Sequence, residues 1–274
     1  MYFTIDDASY WYEVHGEGVP LVMLHGFTGS SQTWSEFICH HSEGVQVIVV
    51  DLPGHGSTTI SSIRTMEDCC RDLRALFLSM GLDQFHLAGY SMGGRTALSF
   101  AMLYPELLKS LILESASPGL EGQMREDRRE MDAKLARRIE RGGLSAFVDF
   151  WEQLPLFESQ KQLPSHVRAA VREERMSQTE EGLAQSLRGM GTGRQPSWWH
   201  MLCGLSLPVL LLAGEQDEKF VKINQEMAEK LPLHTLKIVA GAGHAIHVEK
   251  PGKFGKLVSG FIKNYSSSLS LHKD

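Results

Sequence analysis

The chain has 274 residues, of which 42% are hydrophobic, and its formal net charge is -6. That length is enough for one sizeable core, or for one core with an inserted subdomain. The acidic balance argues against nucleic acid as a partner, and no apolar run approaches the roughly 20 residues of a membrane span.

The first 14 residues are acidic and alternate between apolar and polar, so they lack the basic start and apolar centre of a signal peptide. The same alternation predicts an antiparallel hairpin that turns at Asp6 and Asp7. The four cysteines show no metal-ligand spacing, and two of them, Cys69 and Cys70, are adjacent. We therefore expect reduced thiols, no metal site and a cytoplasmic protein.

Strand and helix patterns then alternate along the chain. Continuous apolar runs predict strands buried on both faces, and helical periodicity fills the intervals between them. The predicted strands are 20–26, 45–56, 84–91 and 108–116, and the predicted helices are about 66–80 and 92–105. This rhythm indicates an α/β fold with a mostly parallel, doubly wound sheet.

The pattern breaks between residues 118 and 199, where the chain is charged, helical in spacing and without a buried strand. It resumes with strands at 207–217 and 234–244 and helices at about 222–231 and 249–264. We therefore predict a core formed by residues 1–117 and 200–266, a helical cap at 118–199 and a flexible tail at 267–274. A cap inserted at this point would cover a site at the carboxyl ends of the strands.

A nucleophile candidate lies in "GYSMG" (89–93), which matches G-x-S-x-G. The motif follows a predicted buried strand and opens a helix, the context in which Ser91 would occupy a sharp, strained turn. The helix start would offer the Met92 backbone N–H as an oxyanion donor. The alternative is a glycine-rich turn that contains an incidental serine.

A serine nucleophile or base needs a histidine, and the histidine needs an orienting acid. Asp217 follows one predicted strand and His244 follows the next, so both side chains can converge on Ser91. Glu215 is the alternative acid and His247 the alternative base.

The loop that begins at His25 and Gly26 follows the first parallel strand. It can aim the Phe27 backbone N–H into the same site and complete an oxyanion hole. We interpret His25 and His55 as structural residues that hydrogen-bond within their loops.

Five stretches together resemble the α/β-hydrolase superfamily: "HGFTGS", "DLPGHG", "GYSMGG", "GEQD" and "AGH". Within it, three features resemble the 2-succinyl-6-hydroxy-2,4-cyclohexadiene-1-carboxylate synthase family of menaquinone biosynthesis. They are Arg95 after the serine turn, the cap stretches "SPGLEGQMREDRREMD" and "FVDFWEQLPLF", and the cap end "SLRGMGTGRQPSWW".

The resemblance implies a lyase that eliminates pyruvate from a tricarboxylate, 2-succinyl-5-enolpyruvyl-6-hydroxy-3-cyclohexene-1-carboxylate, without a cofactor, a metal or an obligatory protein partner. It implies substrate-binding roles for Tyr90, Arg95, Arg128, Trp151 and Arg175. Because the cap aligns loosely, Arg129 could replace Arg128, and Arg172 could replace Arg175. An arginine-rich cap suits a polyanion, since guanidinium groups bind carboxylates bidentately. Most of the cap arginines are nonetheless expected on solvated helix faces.

The resulting hypothesis is proton abstraction by Ser91, coupled to His244 and Asp217, followed by elimination. The Phe27 and Met92 N–H groups would stabilise the dienolate oxygen. One alternative is a serine hydrolase, either a carboxylesterase or a C–C bond hydrolase, with the same triad. A more remote alternative is a non-catalytic ligand-binding scaffold of the same fold.

Overall fold

The structure, a computed structural model, describes residues 1–266, and a nine-stranded sheet runs through its centre. The strands in chain order are β1 (Tyr2–Ile5), β2 (Ala8–His15), β3 (Val19–Leu24), β4 (Val45–Val50), β5 (Thr59–Ile60), β6 (Phe85–Tyr90), β7 (Leu108–Glu114), β8 (Val209–Gly214) and β9 (His234–Val239). Their spatial order is β1-β2-β4-β3-β6-β7-β8-β9, with β5 paired to β2.

The sheet from β4 to β9 is parallel, and only the edge strands β1, β2 and β5 pair in the antiparallel sense. The predicted mostly parallel sheet is confirmed. So is the predicted hairpin, because β1 and β2 are joined at Asp6, whose φ of +50° lies in the left-handed region.

Helices cover both faces of this sheet. They are α1 (Ser35–His41), α2 (Met66–Ser79), α3 (Met92–Leu103), α4 (Gly122–Gly142), α5 (Leu144–Trp151), α6 (Ser165–Met176), α7 (Glu180–Met190), α8 (Glu218–Ala228), α9 (Ile246–Glu249) and α10 (Pro251–Ser266). Alternate strand residues point to opposite faces, as the two-residue repeat of a strand requires. Val22 and Leu24 pack in the cluster under α2 and α3, whereas Leu21 and Met23 pack in the cluster under α1 and α10.

The strand order reverses beside β3, because the chain passes from β3 to β4 on one side and then to β6 on the other. The register pairs Leu24 at the end of β3 with Gly89 near the end of β6. The loops that follow these two strands therefore leave the sheet side by side, at the switch point where α/β sheets bind their ligands.

Between residues 118 and 199 the described chain is helical, with α4 to α7 and a kinked 3-10 segment at Pro155–Gln162. These helices bury an apolar cluster of their own, which includes Ile139, Phe147 and Leu183. The cluster also packs against Phe27 of the core. The exact limits of the predicted cap stay a prediction.

Two helix bounds differ from the sequence-based expectation. Helix α8 begins at Glu218 rather than near 222, because the Asp217 side chain accepts a hydrogen bond from the Phe220 N–H and caps the helix. The last helix is divided into α9 and α10, and α10 starts at Pro251, a residue suited to the first helical position. The predicted tail at 267–274 lies outside the described residues.

No helix within residues 1–266 combines the length and the apolar character that crossing a membrane requires.

Asp51, the first residue after β4, is buried and binds the backbone of the loop that follows it. Its carboxylate accepts hydrogen bonds from the Ser31 and Ser57 backbone N–H groups at 2.5 and 2.7 Å. A Cβ on Gly56 would overlap this carboxylate, so only glycine fits there. His55 lies in the same loop, 2% exposed, with its ring centroid 5.1 Å from that of His25.

This environment makes the stability of the fold depend on pH. Burial, followed by the neighbouring His25, lowers the pKa of His55 from 6.5 to about 3. Between these two values the unfolded chain binds a proton at His55 and the folded chain does not. The free energy of unfolding therefore falls as the pH drops from 6.5 towards 3.

We expect His55→Gln to reduce this acid sensitivity. The variant should lose about 2 kcal/mol less stability than the wild type between about pH 7 and about pH 5, measured by urea unfolding. His40→Gln, at an exposed position of α1, is the matched control and should follow the wild type. Equal pH slopes for all three proteins would contradict the assignment of a neutral, buried His55.

Candidate active site

Ser91 lies at the turn between β6 and α3, with φ +50° and ψ -106°. A non-glycine residue in this conformation is strained, and it persists only where the surroundings impose it. A Cβ on Gly89 would lie 2.3 Å from the Gly93 carbonyl oxygen, and a Cβ on Gly93 would lie 2.1 Å from the Leu24 carbonyl oxygen. The two glycines of the motif therefore allow β3, β6 and α3 to approach closely enough to form the turn.

Three side chains form a hydrogen-bonded chain at this turn. The Oγ of Ser91 lies 3.1 Å from Nε2 of His244, and Nδ1 of His244 lies 2.6 Å from Oδ2 of Asp217. Asp217 and His244 follow β8 and β9, and they are 8% and 2% exposed. The arrangement gives Ser91 a general base and gives that base an orienting carboxylate.

The two alternative residues have other partners. Glu215 is exposed, and its carboxylate accepts a hydrogen bond from the Gly241 N–H at 3.0 Å. His247 is buried, and its Nδ1 lies 2.9 Å from both carboxylate oxygens of Glu114. Neither residue contacts Ser91, so the geometry favours Asp217 and His244.

The predicted oxyanion donors flank Ser91. Gly26 is so close to the turn that an added Cβ would lie 3.6 Å from the Ser91 Cβ, and Phe27 follows it in the chain. Met92 is the first residue of α3. Within residues 1–266, neither the Phe27 nor the Met92 backbone N–H donates to a protein acceptor. Both groups are therefore available to an oxygen bound beside Ser91.

His25 holds this loop in place. Its Nδ1 lies 2.8 Å from the Gly26 carbonyl oxygen, and its Nε2 accepts a hydrogen bond from the Leu52 N–H at 2.9 Å. This pattern requires the neutral ring protonated at Nδ1, and burial correspondingly lowers the pKa of His25. The interpretation of His25 as a structural residue agrees with these contacts.

Ser91 opens into a cavity of about 410 Å³ between the sheet and the cap helices. Eight of the residues singled out from the sequence line it. They are Phe27, Tyr90, Ser91, Met92, Arg95, Arg128, Trp151 and His244. The Nε1 of Trp151 is buried and has no hydrogen-bond partner in the described part of the chain. That indole can therefore donate to a bound molecule.

Two guanidinium groups line this cavity, whose wall also contains the carboxylates of Glu121, Asp132 and Glu226. Arg95, one turn after Ser91, donates from Nη1 to the Met190 carbonyl oxygen at 2.8 Å. Burial, followed by the charge of Arg128, lowers the pKa of Arg95 to about 10, so the group stays protonated at neutral pH. Arg128 donates from Nε to Asp132 at 2.7 Å, which leaves its terminal nitrogens for other acceptors.

The structure also distinguishes Arg128 from Arg129, the two arginines between which the loose cap alignment did not decide. Arg129, the alternative to Arg128, is half-buried and does not line the cavity, and its terminal nitrogen pairs with Glu126 at 2.9 Å. Arg188 likewise pairs with Glu140 outside the cavity. These contacts agree with the expectation that most cap arginines lie on solvated helix faces.

Arg175 is not brought to the Ser91 cavity. It is buried in a neighbouring cavity of about 580 Å³, where its nitrogens bind Glu152 and Gln160 at 3.2 Å. Its guanidinium lies over the Phe157 ring, 4.8 Å from the centroid, and that ring stands between it and His244. Arg172, the alternative, pairs with Asp149 and Glu152 instead. This arrangement gives Arg175 no direct contact with a ligand at Ser91. Its predicted role in substrate binding stays a prediction.

Sequence reasoning missed several residues of the cavity wall. Lys219 and Phe220 lie in the first turn of α8, Phe157 belongs to the 3-10 segment and Trp199 follows α7. The one available signal was the position of Lys219, two residues past the candidate acid. The aromatic residues gave no sequence signal that separates a cavity wall from a core.

Comparison with known proteins identifies the family of the chain. Residues 19–251 match the family model of the alpha/beta hydrolase fold. A Bacillus subtilis protein provisionally named 2-succinyl-6-hydroxy-2,4-cyclohexadiene-1-carboxylate synthase is 47% identical over 88% of this chain and 89% of its own. A Salmonella agona protein named as the same synthase is 35% identical over 85% of this chain and 90% of its own.

Solved structures extend the comparison. MenH from S. aureus superposes with a TM-score of 0.89 at 36% identity, covering 94% of this chain and 98% of its own. A thermophilic esterase from Thermogutta terrifontis superposes with a TM-score of 0.85 at 27% identity, covering 94% of both chains. With relatives at 47% and 35% identity over most of its length, the chain belongs to the 2-succinyl-6-hydroxy-2,4-cyclohexadiene-1-carboxylate synthase family of the alpha/beta hydrolase fold.

Proposed function

We propose that the chain eliminates pyruvate from 2-succinyl-5-enolpyruvyl-6-hydroxy-3-cyclohexene-1-carboxylate in menaquinone biosynthesis. The product is 2-succinyl-6-hydroxy-2,4-cyclohexadiene-1-carboxylate. The observation that carries the proposal is the cavity at Ser91, which combines the Ser91–His244–Asp217 chain with the guanidinium groups of Arg95 and Arg128. A substrate with three carboxylates requires such charges, and an ester substrate does not. The family membership of the chain supports the same reaction.

The first step is proton abstraction from the substrate ring. A free hydroxyl is too weakly ionised near neutrality to act as a base, so Ser91 must pass its proton to Nε2 of His244. Asp217 holds the imidazole through Nδ1 and stabilises the imidazolium that forms. Ser91 Oγ then removes the ring proton next to the succinyl ketone.

The second step is elimination. The electron pair of the broken C–H bond passes to the ketone oxygen, which the Phe27 and Met92 N–H groups stabilise by a few kcal/mol per donor. As the pair returns to form the C2=C3 double bond, the existing C3=C4 double bond shifts to C4=C5 and the C–O bond between C5 and the enolpyruvyl group breaks. The departing enolpyruvate takes a proton, supplied by the His244 imidazolium, and becomes pyruvate. Each proton that leaves one group is thereby accepted by another, and no cofactor is required.

The substrate carboxylates are held by charge and by hydrogen bonds. Arg95 is a buried residue of the cavity wall and Arg128 lines the cavity from α4 of the cap, while the Trp151 indole N–H has no partner within residues 1–266. Tyr90 supplies an aromatic wall beside the serine. Because the cap helices exclude water from the cavity, each of these electrostatic contacts becomes stronger.

A serine hydrolase is the second candidate function, because the same triad and oxyanion donors would serve acyl transfer. The structural likeness to the Thermogutta terrifontis esterase favours that alternative at the level of the fold. The arginines of the cavity favour the lyase. A cytoplasmic location and independence from a protein partner stay predictions.

Ser91→Ala should abolish catalysis. We expect pyruvate release to fall by about three orders of magnitude or more, since the chain would lack its base. Coupled lactate dehydrogenase absorbance measures the rate, and circular dichroism checks the fold. Unchanged pyruvate release would refute the role of Ser91. Fast turnover of p-nitrophenyl esters by a wild type that releases no pyruvate would instead identify a hydrolase.

Arg128→Ala and Arg129→Ala form a matched pair on one helix. Arg128→Ala should raise the KM for the tricarboxylate about tenfold, because a charge-assisted hydrogen bond to substrate is lost. Arg129→Ala should leave KM within about twofold of the wild type, since Arg129 lies outside the cavity wall and its charge is paired with Glu126. A larger effect at Arg129 would show that the cap arginines have been assigned in the wrong register.

Arg95→Met tests the deep guanidinium with a side chain of comparable length. We expect kcat/KM to fall about a hundredfold, because the transition state would lose a buried cationic partner. The thermal unfolding temperature of the variant shows whether the fall in kcat/KM comes instead from destabilisation of the protein after loss of the Arg95–Met190 hydrogen bond. If kcat/KM barely changes while the protein stays folded, Arg95 does not bind the substrate.

A further inference from the structure

Lys219 lies in the wall of the Ser91 cavity although neither its sequence context nor the family resemblance singled it out. It occupies the first turn of α8, two residues after Asp217. Its Nζ is 5.4 Å from the Phe220 ring centroid, and that ring is 4.8 Å from the His244 imidazole. The ammonium group therefore stands one aromatic ring away from the candidate base.

The side chain of Lys219 has no carboxylate partner. Among residues 1–266 no acidic oxygen lies within 4.0 Å of its Nζ. Glu226, the other charged residue of α8 in the cavity wall, lies seven positions further on, or about 10 Å along the helix axis. Desolvation, followed by the positive charge of Arg128, lowers the pKa of Lys219 from its usual range, although the nearby Asp217 carboxylate acts in the opposite direction. An anion between these two cations would relieve their repulsion.

The position is also unfavourable for a lysine on local grounds. The start of a helix carries a partial positive charge, so a cation in the first turn destabilises the helix. Lys222, one turn later on the same helix, is exposed like Lys219 but lies outside the cavity wall, so the two lysines differ in whether they line the cavity. A local rule broken at a cavity wall is typical of a functional residue.

The charges of the cavity leave one substrate carboxylate without a cation. The proposed substrate has three carboxylates, whereas Arg95 and Arg128 supply two guanidinium groups, and Arg175 lies behind Phe157. Lys219 is the further cation that lines the cavity in the described chain.

We propose that Lys219 is a substrate-binding residue that holds the third carboxylate at the mouth of the Ser91 cavity. This inference rests on the proposed function. It assigns to Lys219 the contact that the family resemblance assigned to Arg175.

The test compares Lys219→Ala with Lys222→Ala and Lys219→Arg in the full chain. Lys219→Ala should raise KM about tenfold and change kcat less than about threefold, because the contact anchors the substrate without taking part in proton transfer. Lys219→Arg should restore KM to within about threefold, and Lys222→Ala should match the wild type. Tricarballylate, used as a probe tricarboxylate in isothermal titration calorimetry, should show the same order of affinities.

The outcomes separate this inference from the proposed function. A wild type that releases no pyruvate contradicts the proposed function, and the tricarballylate titration then still decides whether Lys219 binds a carboxylate. Equal KM and equal tricarballylate affinity for Lys219→Ala and Lys222→Ala would overturn the inference. A fall in kcat with unchanged KM would also overturn it.

Discussion

The close contact between β3, β6 and α3 is the constraint on which the site depends. Gly89 and Gly93 allow backbone atoms to approach where a methyl group would overlap a carbonyl oxygen, and Ser91 accepts a strained φ of +50° as a result. The neighbouring strand β7 also holds the turn, because the Ser91 N–H donates to the Glu114 carbonyl oxygen at 2.8 Å. The sheet thereby fixes the serine before any ligand binds, which is the preorganisation that electrostatic catalysis requires.

The position of Arg95 also depends on residues of the cap. The stretch that most resembled the synthase family, Gly189 to Trp199, does not itself supply a charged contact to the cavity. It positions one: the Met190 carbonyl oxygen binds Arg95, and Gln195 bridges Arg95 and the Ser117 carbonyl oxygen. Trp198 anchors the same stretch by donating to Ser99 at 2.9 Å. This stretch is therefore characteristic of the family because it holds the Arg95 guanidinium in place from the cap.

The sequence predicted the sheet, the order of its helices and the Ser91, Asp217 and His244 constellation, because these depend on local patterns. Glycines around a serine, and polar residues immediately past buried strands, are visible without a structure. Asp217 was separable from Glu215 only by the hydrogen bond to His244, which depends on loop geometry. The positions of Arg175 in the cap and of Lys219 on α8 relative to the cavity could not be predicted from the sequence. Helical periodicity does not indicate that Arg175 contacts Glu152 and Phe157 outside the cavity. It also does not indicate that Lys219 lines the cavity.

Asp217 has two simultaneous partners. One carboxylate oxygen orients His244, and the other accepts the Phe220 N–H at the start of α8. The carboxylate is therefore a mechanical link between the imidazole and a helix that forms part of the cavity wall. A substitution there would loosen the base and the wall together. The loss of activity on removing Asp217 would consequently overstate its electrostatic contribution, because part of that loss would come from a helix that has lost its cap.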